Sequence, residues 1–280
     1  MSLFEQMLEK YSILTKDEER NAIHEVMQQI TLAGLYRGNF FDKAAFYGGT
    51  CLRIFYNSQR FSEDMDFSLL RHDSTFKIEN YFDAIVNEFK ACGKDITITK
   101  KDKTKTSSIE SAFLKENTET YTISFQTEKQ IKVRLEVDTD PPSGFQTEPK
   151  LLLLPFSFMT SCFVLPDLFA GKMHALLFRN WKNRVKGRDW YDFEWYIRNG
   201  IELNFNHFKI RSLQTNKDLD DDFGILEFKE LLQAKIRTVN IEQIKSDVYP
   251  FIKNNSEIDI WSNNYFMQLA ELIRIQTTFL

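Results

Sequence analysis

The sequence predicts an α+β protein: a first part in which helices accompany a β-sheet, followed by a mainly helical part. Three observations lead there. Arg60 to Leu70 and Gln130 to Asp138 alternate apolar and polar residues with the period of two expected of strands. The cluster Pro141-Pro142-Ser143-Gly144 breaks that pattern. Beyond it apolar residues recur mostly at helical spacing, so a first domain is expected over residues 1–155 and a helical one over 156–280.

The elements follow in chain order. From Asp17 an acidic first turn (Glu18, Glu19) leads into Ile23, Val26, Met27 and Ile30, the spacing of an amphipathic helix. Ala44 to Tyr47 is a short apolar run that stops at Gly48-Gly49 and resumes as Thr50 to Tyr56, which reads as strand, glycine turn, helix. Arg60 to Leu70 is then an extended strand, with Phe61, Met65, Phe67 and Leu69 opposite Arg60, Ser62, Asp64 and Asp66. Phe76 to Phe89 has helical spacing and ends near Gly93. Strands are expected at Ile96 to Thr99, Tyr121 to Thr127 and Gln130 to Asp138, with a solvated lysine- and threonine-rich loop from Lys100 to Ser108.

Leu151 to Ala170 is mostly apolar, but Pro155, Pro166 and Asp167 interrupt it. It predicts a buried strand passing into a buried helix, not a membrane span. Helices are expected over Pro166 to Asn180 and Asp189 to Arg198, and near 202–213, 223–236, 240–252 and 262–279.

Composition narrows the functional classes. With 10 Gly and 6 Pro in 280 residues there is no room for long disordered tracts, and 26 Phe point to an aromatic core. A formal charge of -4 speaks against electrostatic coating of nucleic acid by the whole surface, but leaves room for a local basic site. Cys51, Cys92 and Cys162 lack the number and spacing of a disulfide framework or thiolate zinc site. A reducing cytoplasm is the expected location, and the N-terminus does not read as a signal peptide.

The residues that carry chemistry fall in two groups. Gly48-Gly49-Thr50 sits at a strand-to-helix turn, where glycines admit backbone amides to a phosphate chain and the helix adds its positive end. Asp64 and Asp66 are two positions apart in an extended segment, so both carboxylates point to one face and suit one or two Mg²⁺ ions. Glu136 is favoured as a third carboxylate, with Asp138 the alternative two residues on. The second group begins with Lys172 and Arg179, seven apart on one helix face and able to reach phosphate oxygens. Asp189 and Asp192 follow in the first turns of the next helix, one expected to hold Lys172 or Arg179 and the other to act on an attacking hydroxyl. Trp190 and Tyr191 belong to an aromatic run that reads mostly as helix core, and His174 reads as a packed or hydrogen-bonding side chain.

In this order, Gly48-Gly49-Thr50, Arg60-x-Ser62-x-Asp64-x-Asp66, Leu135-Glu136-Val137, Lys172-x-His174-Ala175 with Arg179, and Lys186-Gly187-Arg188-Asp189-x-x-Asp192 resemble the AbiEii/AbiGii toxin family of nucleotidyltransferases over roughly residues 40 to 200. The resemblance implies a DNA-polymerase-β-like domain with a mixed sheet, then a helical domain that contributes Lys172 and Asp189 to the active site. It implies transfer of NMP from an NTP to an acceptor hydroxyl by a toxin of an abortive-infection or toxin–antitoxin pair. MenT-like relatives modify the acceptor end of tRNA, so tRNA, another RNA or a protein is the expected acceptor, and a cognate antitoxin the expected partner. Carried over by position, the resemblance implies that Gly48, Gly49, Thr50 and Lys172 bind the nucleotide, and Ser62 and Arg179 are expected to join them. Asp64, Asp66 and Glu136 hold Mg²⁺ or Mn²⁺, and Asp66, Lys172 and Asp189 are catalytic. Two other readings of the same residues are a glycosyltransferase using Asp64-x-Asp66 for a nucleotide-sugar, and an inactive interaction protein of the same fold.

Overall fold

The computed structural model describes residues 1–100, 118–125, 131–179, 185–216 and 218–276. Most of the loop expected over Lys100 to Ser108 lies outside them, as does the end of the last expected helix. The chain divides into two compact units. One comprises Met1–Asn57, Phe61–Pro141 and Thr147–Cys162, the other Ser58–Arg60, Pro142–Gln146 and Phe163–Leu280.

The first unit is built on a seven-stranded mixed sheet. Its strands are β1 (Ala44–Tyr47), β2 (Asp64–Leu69), β3 (Ile96–Lys100), β4 (Thr118–Phe125), β5 (Lys132–Asp138), β6 (Thr147–Leu152) and β7 (Phe158–Phe163). They lie in the order β3-β4-β5-β2-β1-β7-β6. Central β2 pairs antiparallel with β1 and parallel with β5, and β1 pairs parallel with β7. The buried strand expected within Leu151 to Ala170 is preceded by another, so that two strands lie between residues 147 and 163. The first, β6, is half-exposed along its length, which hides it from a reading keyed to apolar runs.

Alternation gives the sheet two faces. Met65 stands abreast of Leu135 and Phe67 abreast of Val137, and all four are buried. Rings extend this face, with Phe46 and Phe40 centred 5.0 and 5.1 Å from Phe67. Each such side chain taken from water stabilises the fold by about 1.5–3 kcal/mol. Four helices accompany the sheet: α1 (Leu3–Leu8), α2 (Lys16–Arg37), α3 (Gly48–Phe55) and α4 (Phe82–Ala91). Helix α2 starts one residue before the expected Asp17. Thr15 caps it, its hydroxyl accepting from the Glu18 amide at 3.2 Å while the Glu18 carboxylate accepts from the Thr15 amide at 3.0 Å. At Gly34 the backbones of α2 and α4 touch, since an added Cβ would lie 2.6 Å from the Ile85 Cα.

The expected strand from Arg60 is shorter than its alternation suggests, because β2 begins only at Asp64. The carbonyls of Ser62 and Glu63 accept instead from the Gln28 side-chain amide on α2, at 2.9 and 3.1 Å.

In the second unit the helices are α5 (Leu165–Phe178), α6 (Gly187–Arg198), α7 (Phe205–Thr215), α8 (Ile225–Thr238), α9 (Ile241–Val248) and α10 (Asn263–Glu271). Two three-residue strands, β8 (Glu202–Asn204) and β9 (Arg274–Gln276), pair in parallel. Both fall inside segments expected to be helical, and they are too short to show a period. Asn204 closes β8 and caps α7 by accepting from the His207 amide at 3.1 Å. The aromatic run on α6 is core: Phe169 stacks on Tyr196 at 4.5 Å, and Trp190 meets Phe266 edge-on at 4.9 Å. Gly187 opens α6 against the backbone of Ile244 on α9, where a Cβ would collide, and its amide donates to Asp247 Oδ2 at 2.9 Å. Among the described residues no helix is long and apolar enough to cross a membrane.

Candidate active site

Within the first unit the polar groups gather where β1 passes into α3. Gly48 has φ +80°, a left-handed conformation that side chains other than glycine rarely adopt. A second constraint acts on the same atom: a Cβ built there would fall on the Asp66 carboxylate, 2.9 Å from Cγ. Gly48 thus lets the backbone pass directly over Asp66. Gly49 and Thr50 complete the first turn of α3, whose amides are the unsatisfied, positive end of the helix. Thr50 is 0% exposed and its hydroxyl donates to the Asp64 carbonyl, so its side chain ties α3 to β2. What Thr50 offers a ligand is therefore its amide.

Asp64 and Asp66 lie half-buried on one face of β2. The parallel register sets Asp64 abreast of Arg134, Asp66 abreast of Glu136 and Ser68 abreast of Asp138. Arg134 reaches within 3.7 Å of both Asp64 Oδ1 and Glu136 Oε1. Asp138 is 4% exposed, and its Oδ1 accepts from the Asp140 amide at 3.2 Å. Of the two carboxylates weighed as a third acid, Glu136 is thus the one beside Asp66. Ser62 is buried just before the strand, held through its carbonyl by Gln28.

Among the described residues no three His, Cys, Asp or Glu side chains are gathered closely enough to hold a metal alone. Two half-exposed carboxylates on one face, under a backbone without a Cβ, nevertheless fit Mg²⁺, which is usually bound by one or two carboxylates and completed by phosphates and water.

The second unit holds a buried charge cluster. Lys172 Nζ lies 2.7 Å from Asp189 Oδ1 and 2.8 Å from Asp192 Oδ2. Arg60 grips Asp192 with two parallel bonds, Nε to Oδ1 at 2.5 Å and Nη2 to Oδ2 at 2.6 Å. Burial alone would raise the Asp189 carboxyl, but Lys172, Lys186 and Arg179 outweigh it and hold the group well below the usual carboxylate range. Asp192 is likewise held low against burial by Arg60 and Lys172. Both acids are therefore anions that bind Lys172. An ammonium has three donors, and the two carboxylates engage two of those of Lys172. Arg179, at the exposed C-terminal end of α5, acts on Asp189 at longer range and makes no ion pair within 4.0 Å among the described residues. His174 Nε2 is 2.6 Å from the Thr215 hydroxyl.

Sequence reasoning missed Arg134, Gln28 and the Arg60–Asp192 pair. The last spans 132 positions and has no local signature. For Arg134, alternation along β5 gave its face; only the register gives its neighbours.

The sequence profile of the family described as "Nucleotidyl transferase AbiEii toxin, Type IV TA system" matches residues 30–269. In structure the chain is similar to the nucleotidyltransferase toxin MenT4 from Mycobacterium tuberculosis H37Rv, with TM-score 0.59 at 14% identity over 96% of this chain and 87% of that one. It is also similar to JHP933 from Helicobacter pylori, with TM-score 0.49 at 16% identity over 93% of each chain. No curated protein matches the sequence. The likeness to MenT4 is one of fold.

Proposed function

The chain belongs to the AbiEii family of nucleotidyltransferase toxins, and from that premise we propose that it transfers a nucleoside monophosphate from an NTP to an acceptor hydroxyl in a Mg²⁺-dependent reaction. The observation that carries this reading is the passage of Gly48, without a Cβ, directly over Asp66 on the face that also bears Asp64.

Asp64 and Asp66 would hold the ion, with Glu136 beside them; when bound, the ion neutralises phosphate charge. The amides of Gly48, Gly49 and Thr50 bind phosphate oxygens at the start of α3, and Ser62 and Arg179 add polar and cationic contacts. Lys172 donates its remaining hydrogen bond to phosphate. Asp189 orients Lys172 and is the acid of the second unit assigned to the catalytic centre. The acceptor oxygen attacks the α-phosphorus, the bond to the β-phosphate oxygen breaks, and pyrophosphate leaves. Positioning and charge neutralisation supply the rate.

RNA is the acceptor class we propose, with the 3′ end of tRNA the first to test, a cognate antitoxin as partner and the cytoplasm as the site of action. A sugar-transferring reading of Asp64-x-Asp66 leaves the family match unexplained. Incubation with each α-labelled NTP, total cell RNA and protein, in Mg²⁺, reads the reaction directly. Label should enter RNA, and Asp66→Ala should abolish transfer with an unchanged far-UV spectrum; undiminished transfer would sink the assignment.

A further inference from the structure

A cavity of about 250 Å³ opens in the second unit beside the charge cluster, lined by Arg179, Lys186, Lys235, Thr238, Asn240 and Gln243 among others. Asp189 also borders it, but its Oδ1 is 2.7 Å from Lys172, so this pair contributes little net charge. The remaining charge is that of three cations. Neither Arg179 nor Lys235 makes an ion pair within 4.0 Å among the described residues, although Lys235 is half-buried on α8. Asn240 caps α9 with its oxygen, which accepts from the Gln243 amide at 3.2 Å, and its side-chain nitrogen remains a donor. The volume is below the roughly 300 Å³ at which pockets for whole ligands begin. The cavity therefore suits one piece of a larger ligand.

We infer that this cavity is a phosphate subsite in which Lys235, with Arg179 and Lys186, binds a phosphate group of one of the two substrates. The inference deepens the nucleotidyl-transfer reading and rests on it for the pocket's role. A phosphate satisfies what the lining lacks: two or three oxygens for clustered cations, and an acceptor for amide donors from α9. Burial, with Arg179 as the foremost of the neighbouring cations, pushes the Lys186 ammonium down to about 8, which shows how closely the cations crowd on this side of the cavity. Residues after about 200 carry no motif, so Lys235, Asn240 and Gln243 are assigned here by position alone.

The same chemistry has two sources, the polyphosphate tail of the nucleotide and a backbone phosphate of the acceptor RNA. Calorimetric titration of the full chain in EDTA, with pyrophosphate and separately with a short single-stranded oligoribonucleotide, tells them apart. If the tail occupies the cavity, Lys235→Ala weakens pyrophosphate about tenfold and Lys235→Arg restores it. If the RNA does, the same variant weakens the oligoribonucleotide about tenfold and lowers the slope of log affinity against log salt by about 0.7. Unchanged affinity for both probes in folded Lys235→Ala overturns the subsite. Nucleotide transfer by Asp66→Ala is assayed separately. Undiminished nucleotide transfer in that variant removes the nucleotidyl-transfer reading and leaves the binding result standing.

Discussion

Replacing Asp192 by Ala tests the buried cluster most directly. Asp192 is 0% exposed and Arg60 3% exposed, so the two parallel bonds between them are shielded from water. The cluster of Arg60, Lys172, Asp189 and Asp192 balances two cations with two anions; removing Asp192 leaves one buried positive charge uncompensated, with Lys186 and Arg179 nearby. Breaking one partner of such a pair costs about 3–5 kcal/mol, a large part of the 5–15 kcal/mol that holds a typical domain. All four tryptophans lie beyond residue 180, so their fluorescence in a urea titration follows the second unit. The unfolding free energy of Asp192→Ala, taken from midpoint and slope, should fall by that amount, whereas Arg60→Met/Asp192→Leu, which removes both charges and keeps the volume, should recover most of it. Acid adds a second signature. Asp192 and Asp189 are held below 3.8, so the unfolded chain takes up their protons first, and the stability they confer, complete above about pH 5, is lost as pH falls below about 4. Asp192→Ala should flatten that acid limb. A loss under about 1 kcal/mol with an unchanged urea slope would refute the view that these charges act as one buried unit.

Two further predictions concern single residues. Gly48→Ala places a Cβ against the Asp66 carboxylate at φ +80°, so stability should drop by about 1–3 kcal/mol and label transfer by about a hundredfold; full transfer would mean that Asp66 needs no such clearance. Lys186, lowered to about 8 by burial and its cationic neighbours, carries a charge the fold disfavours, so the second unit should gain stability as pH rises from about 8 towards 10.5. Lys186→Met, or saturating pyrophosphate, should remove this slope in urea titrations across that range.

Much of the site was legible because its pieces are local. The Gly48-Gly49-Thr50 turn, the one-face pair Asp64 and Asp66 and the acids opening α6 each follow from a period or a turn rule within a few residues. The less legible parts depend on pairings between distant segments. Alternation from Arg60 read as one long strand, yet Arg60 is paired with Asp192 and the next carbonyls with Gln28. Nothing local tells that the Asp64 carbonyl takes the Thr50 hydroxyl. The expectation that one of Asp189 and Asp192 would hold a cation was too narrow, because Lys172 binds both. Strands β8 and β9 escaped because three residues are too few to display alternation.

The register of β2 against β5 makes strand-pairing fidelity and chemical competence a single property. Met65 and Phe67 fill the core on one side while Asp64 and Asp66 stand abreast of Arg134 and Glu136 on the other. A slip of one residue would exchange the two sets, carrying carboxylates into the apolar layer and a phenyl ring to the polar face. The hydrophobic penalty that forbids the slip is therefore also what keeps the acids aimed outward. In the proposed reaction, chains that pair these strands wrongly lose the carboxylate face by the same physics that excludes them from the folded state.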